Sequence, residues 1–105
     1  LEVKEVENLP QHERTAFLER ELQKLGPASG QAAVWRVKYL PAEDQMAFLQ
    51  HALQHPNSSV AVWAVLQVNE LPREQRSAFL QYAEQLQNPA VVAAVRRLQQ
   101  HRLVE

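Results

Sequence analysis

The dipeptide Leu-Pro occurs at 9–10, 40–41 and 71–72, so its two intervals are equal. The triplet Ala-Phe-Leu at 16–18, 47–49 and 78–80 keeps the same interval. Gln23, Gln54 and Gln85 also fall in register, as do Asn57 and Asn88. Six positions shared by three copies at one spacing mark an internal repeat, and no other feature of the chain narrows the fold as much. A unit of about 31 residues cannot bury an apolar face alone, so successive copies have to stack on one another. The chain divides on this reading into a lead or linker, 1–8, and a single domain of three copies, 9–39, 40–70 and 71–105.

Each copy reads as two helices. The prolines at 10, 41 and 72 suit a first helical turn, where there is no N–H bond to lose. Glu13, Glu43, Asp44 and Glu74 follow, at the positive end of the helix dipole. The apolar residues then share one face: Phe17, Leu18, Leu22 and Leu25 in the first copy, Phe48, Leu49, Ala52 and Leu53 in the second, and Phe79, Leu80, Ala83 and Leu86 in the third. These spacings are helical rather than strand-like. A breaker interrupts each copy, at 26–30, 55–59 and 87–89. Asn88 is a good N-cap ahead of a first-turn Pro89, and Ser29 and one of Asn57 to Ser59 serve similarly. Val91, Ala94, Val95 and Leu98 then form a one-sided stripe. The pattern predicts helices over roughly 10–25, 30–38, 41–55, 58–69, 72–87 and 89–102. Residues 60–66 offer no polar face, which predicts a helix buried all round in the middle of a stack. The expected architecture is all-α: a right-handed α-solenoid of three helical hairpins.

Composition agrees with that expectation. Apolar residues make up 46% of 105, enough to supply the core of one small domain. Only two glycines stand against thirteen glutamines and abundant Ala, Leu, Glu and Arg, which favours helix. Cysteine is absent, which excludes disulfides, thiolate zinc sites and a cysteine nucleophile. That absence does not choose a compartment; cytoplasm is the default and periplasm stays open. Eleven basic and twelve acidic residues give a formal charge of −1, so no global attraction to nucleic acid or anionic membrane exists. The longest apolar run has seven residues, far short of the ~20 that span a bilayer. The sequence starts at Leu1 without a signal-peptide pattern, and reads as a processed chain or a piece of a longer one. Eight arginines to three lysines, with no isoleucine, fit the coding bias of a GC-rich bacterial genome.

Paired helices at this period, with the last one opening as Asn-Pro-Ala-Val-Val-Ala-Ala-Val-Arg-Arg-Leu at 88–98, resemble HEAT-like repeats. The short HEAT-like repeat also found in phycobilin lyases is the nearest in flavour, and the resemblance extends over residues 9–105. Arg96 and Arg97 are similar to the arginine that such repeats carry near the start of their second helix. The Leu-Pro-x-Glu start is also similar to helical hairpins of flagellar-motor and magnesium-transporter regulatory domains. Both resemblances imply a helical solenoid that binds something, and neither supplies a catalytic residue.

Chemistry is sparse. His51 and His55 have metal-ligand spacing on one helix, but no Glu follows the first histidine and no third ligand is evident, so capping and surface roles are expected and no metal. The sole aspartate, Asp44, sits in a first turn, and the glutamates are scattered. Neither a nucleophile elbow, a phosphate-binding glycine loop nor a converging acid–base pair appears, so an enzyme and a cofactor are not expected. Arg96, Arg97, His101 and Arg102 make a basic end to the last helix, favourable at a helix C-terminus by itself.

A binding surface is the stronger expectation. Aligned at the repeat interval, Trp35, Leu66 and Arg97 occupy one column of the second helices. Arg97 implies that the column meets solvent, and tryptophan is enriched where partners dock; the competing reading is that Trp35 closes the open end of the stack and that Trp35 and Leu66 pack between neighbouring repeats. Trp63, by contrast, is expected in the core. Partner contact is therefore placed along Trp35, Leu66 and Arg97, with Val62 and Lys38 beside them. This ridge is apolar at one end and basic at the other, matching a protein or peptide such as an amphipathic helix with an acidic end. The opposite surface, with Gln11, Arg14, Gln45, Gln75 and Arg76, is expected to be ordinary solvated surface. The expected function is a non-catalytic protein-interaction or scaffolding module; the alternatives are a nucleic-acid-binding solenoid and a self-association domain of a longer protein.

Overall fold

Each first helix is preceded by a proline with an extended ψ. Pro10, Pro41 and Pro72 have φ near −55° and ψ near 144°, and their carbonyls accept the N–H of Glu13, Asp44 and Gln75, each at 2.9 Å. They cap the helices from just outside, one residue earlier than their expected first-turn place. The computed structural model describes residues 3–24 and 26–101, apart from the Lys4 side chain. These residues form six α-helices: α1 (Gln11–Leu22), α2 (Pro27–Trp35), α3 (Ala42–Leu53), α4 (Ser58–Leu66), α5 (Arg73–Gln85) and α6 (Pro89–Gln100). No strand occurs among the described residues. Leu25 and Arg102, which the sequence pattern puts in helices, lie outside them.

The second helices begin after Gly26, Asn57 and Asn88, which are spaced by the repeat interval. Asn57 Oδ1 accepts the Ser59 N–H at 2.9 Å, and Asn88 Oδ1 accepts the Ala90 N–H at 3.0 Å. The first of these helices starts at Pro27, three residues before the expected 30, and Ser29 lies inside it rather than capping it. Gly26-Pro27 is the counterpart of Asn88-Pro89. Gly30, which the sequence pattern groups with the breaker, has a different job: a Cβ there would lie 2.9 Å from Cγ2 of Val60, so its bareness lets α2 approach α4. The last link turns sharply at Gln87, which holds a left-handed φ of 59°.

α2 and α4 stop three residues short of the expected ends at 38 and 69. The chain tightens there into 3-10 turns, Val37–Tyr39 and Val68–Glu70. A similar 3-10 helix, Val3–Asn8, replaces a free lead and packs on α1 and α2. Val6, Val37 and Val68, again in repeat register, are fully buried, and Leu40 and Leu71 are buried with them. The recurring unit is thus Val-x-x-Leu-Pro rather than Leu-Pro.

Carbonyls at these turns fall outside the α-helical ladder and need donors. Arg14 supplies them from Nε to Leu9 O (3.0 Å) and from Nη2 to Glu7 O (2.9 Å). Arg76 repeats this on Leu71 O and Asn69 O, both at 3.0 Å. Gln45, at the aligned position, donates to Leu40 O at 3.2 Å and Val37 O at 3.4 Å. The sequence pattern puts these side chains in solvent. Instead Gln45 is buried and Arg14, Gln75 and Arg76 are half-buried, leaving only Gln11 of that set exposed. Each clamp fastens a helix to the turn before it, and Arg14 Nη1 also reaches Tyr39 O, at 3.1 Å.

α1 packs on α2, α3 on α4 and α5 on α6. α3 also touches α1 and α5, and α4 touches α2 and α6, so the helices form two layers, each in chain order. The short links lay neighbouring helices antiparallel. Phe17, Phe48 and Phe79 are all buried between the layers, beside the equally buried Leu18, Leu49 and Leu80. Polar ties join successive copies: Thr15 Oγ1 donates to Asp44 Oδ2 (2.7 Å), Gln31 Nε2 to Ser59 Oγ (3.0 Å) and Gln54 Nε2 to Tyr82 OH (2.7 Å).

The two ends of the stack are polar. Val60 and Val91 are buried where the first copy has Ser29, and Ala52 and Ala83 where it has Glu21. At the other end, buried Val34 and Val65 align with exposed Arg96, and buried Leu22 and Leu53 with exposed Glu84. Glu21 is itself buried, with Lys24 Nζ 2.7 Å from its Oε2 as a charge pair. The apolar columns thus give way to polar side chains in the first and last copies.

Candidate docking surface

α4 departs from the expectation of burial all round. Val60, Ala61, Ala64 and Val65 are buried, but Val62 and Trp63 are half-buried and Leu66 is 44% exposed. α2, α3 and α6 cover three sides of α4 and leave a fourth stripe open. Trp63, expected in the core, packs only its inner side there.

Trp35 is 50% exposed, and with Leu66 it is the large apolar side chain left in solvent among the described residues. The two occupy the last positions of α2 and α4, and Arg97 is exposed at the aligned place on α6. One repeat interval apart on adjoining helices, the three positions make a row in register across the layer. Val62 lies one turn before Leu66 on the same stripe. Trp63 closes the gap between the first two helices: its ring centroid is 5.1 Å from that of Trp35, with the planes tilted by 48°. That geometry suits a favourable aromatic pair.

Cations border the row. Lys38 is exposed on the turn after α2, its Nζ 5.5 Å from the Tyr39 ring centroid. Arg36 is half-buried and donates from Nη1 to Ala32 O at 3.1 Å, so part of its role is to close the end of α2. Glu7, Trp35, Arg36, Lys38 and Tyr39 together line a shallow hollow at this end. The sequence pattern anticipates the exposure of Trp35 and Leu66 but not the place of Trp63, because an all-apolar run gives no sign of which side stays uncovered.

The histidines lie elsewhere. His51 Nδ1 is 2.9 and 3.2 Å from the two carboxylate oxygens of Glu19. His55 Nδ1 accepts the Asn57 N–H at 3.0 Å, which ties the loop ahead of α4. Both residues line a groove with Leu22, Lys24 and Pro56. Among the described residues, no three His, Cys, Asp or Glu side chains gather as a metal would need, and no helix is long and apolar enough to cross a membrane. Arg96, Arg97 and His101 are exposed at the end of the stack.

No protein-family model matches the chain, and no curated protein or solved structure is significantly similar to it.

Proposed function

We propose that this chain is a non-catalytic protein-interaction or scaffolding module, built as a right-handed α-solenoid of three HEAT-like helical hairpins. Its partner, a protein or peptide segment, docks across α2, α4 and α6 along Trp35, Leu66 and Arg97, with Val62 and Lys38 at the border. The observation that carries this reading is the exposure of Trp35 and Leu66 in one row, with Trp63 bracing the first. Among the described residues the other large apolar side chains are buried or half-buried, and leaving these two in water gains nothing in stability, whereas aromatic anchors of this kind dominate binding energy at interfaces.

Affinity capture from a lysate of the source organism tests it. A protein retained by the parent chain is expected to be lost from Trp35→Ala and from Arg97→Glu, with helical circular dichroism unchanged. Equal retention by both variants rejects the site. Salt-dependent binding of DNA or RNA in place of protein supports the nucleic-acid alternative, and a mass that rises with concentration supports self-association.

A further inference from the structure

Charge is divided unequally between the two layers. The helices α1, α3 and α5 carry seven carboxylates, while α2, α4 and α6 carry none. With the turns that follow them, the second helices hold Arg36, Lys38, Arg96 and Arg97 against a single carboxylate, Glu70. The chain's net charge of −1 conceals this asymmetry. The cations also stand at both ends of the row, Arg36 and Lys38 beside Trp35 and Arg96 with Arg97 on α6, where the sequence pattern puts them at one. Helix C-termini add about half a negative charge each, and Glu7 lines the hollow by Trp35. With Glu5 and Glu70 these offset much of the positive charge near α2 and α4, but α6 carries no carboxylate beside Arg96 and Arg97, and Lys38 and Arg97 remain exposed cations at the two ends.

We infer that the surface takes an acidic amphipathic segment of another protein, with apolar anchors at its centre and carboxylates on both flanks. This rests on the docking reading above and specifies its partner. Adjacent helices pack about 8–10 Å apart, so the row from α2 to α6 spans roughly 20 Å. A helical segment of about 13 residues covers that distance. Its apolar face meets Trp35, Trp63 and Leu66, and its flanking carboxylates meet Lys38 and Arg97. Nucleic acid fits less well. A phosphate chain needs cations along its whole track, and the middle of this row, Val62, Trp63 and Leu66, has none.

Selection of displayed random peptides, each long enough to cross the row as a helix, on the intact chain tests the inference, with tryptophan fluorescence as the binding readout. Both tryptophans of the chain stand on this surface, so docking changes their emission directly. Enriched clones are expected to be net acidic, with apolar residues at helical spacing, and to bind at least tenfold more weakly to Trp35→Ala and to the double variant Lys38→Glu/Arg97→Glu. Neutral or basic clones that still depend on Trp35 overturn the acidic partner and leave the docking row standing. Clones indifferent to Trp35→Ala, or no enrichment at all, overturn both. Tighter binding of a single-stranded oligothymidylate than of any acidic clone assigns the surface to nucleic acid instead.

Discussion

Gly26 occupies the cap position that Asn57 and Asn88 hold in the next two copies, yet it has no side chain to bond the free N–H groups of α2. Its φ of −75° and ψ of 140° are within reach of any residue, and a Cβ there meets nothing within 4 Å. Pro27 is no obstacle, since Asn88 caps α6 across Pro89 by bonding the next two N–H groups. Gly26→Asn is therefore expected to stabilise the fold by about 0.5–1 kcal/mol, from the added cap and the lower freedom of the unfolded chain. A rise in urea midpoint at constant m-value checks it. The same residues show where sequence reading stops. Asn88 announces itself as a cap by residue type, whereas Gly26 fills that role by position alone. Aligning Gly26 with the two asparagines places the start of α2 correctly; reading Gly30 as a breaker misplaces it.

At the scale of the elements, the join between each 3-10 turn and the following helix is set by one side chain. Arg14, Gln45 and Arg76 reach back to turn carbonyls from aligned positions with different chemistry. A planar head with fixed N–H donors is what they share. Arg76→Ala is expected to cost about 1–2 kcal/mol, the worth of a charge-assisted bond discounted for partial exposure. Arg76→Gln should recover much of the loss, because Gln45 already performs the task, whereas Arg76→Lys should recover little, since an ammonium lacks the forked donors. Thermal melts of the three variants rank them; equal melts for Ala and Gln would remove the clamp from the account. The sequence shows Arg, Gln and Arg in register but not what they hold. Their partners are main-chain carbonyls, which leave no trace in residue identity. The helices themselves are legible because apolar spacing dictates them, and their ends are not, because a 3-10 turn keeps burying the same valine column as the helix it follows.

For the whole molecule, the buried side chains form one continuous core that draws on all six helices. Phe48 lies in the middle copy, buried from both sides, and Phe48→Ala is expected to cost about 3–5 kcal/mol. Against the roughly 5–15 kcal/mol typical of a small domain this approaches the total, so the urea midpoint should fall steeply; a midpoint equal to the parent's would remove Phe48 from the core. The row of exposed side chains is legible for the same reason as the core, since one period places both. The charge division between layers is not legible until the helices are sorted into layers, because residues of both layers alternate along the chain. The polar faces at the two ends carry a consequence for how such a chain changes length. On the solenoid reading proposed above, the block 40–70 is the interchangeable part: duplicating it in frame is expected to lengthen the molecule by one hairpin and to add one more leucine to the outer row, with the helical circular dichroism per residue unchanged.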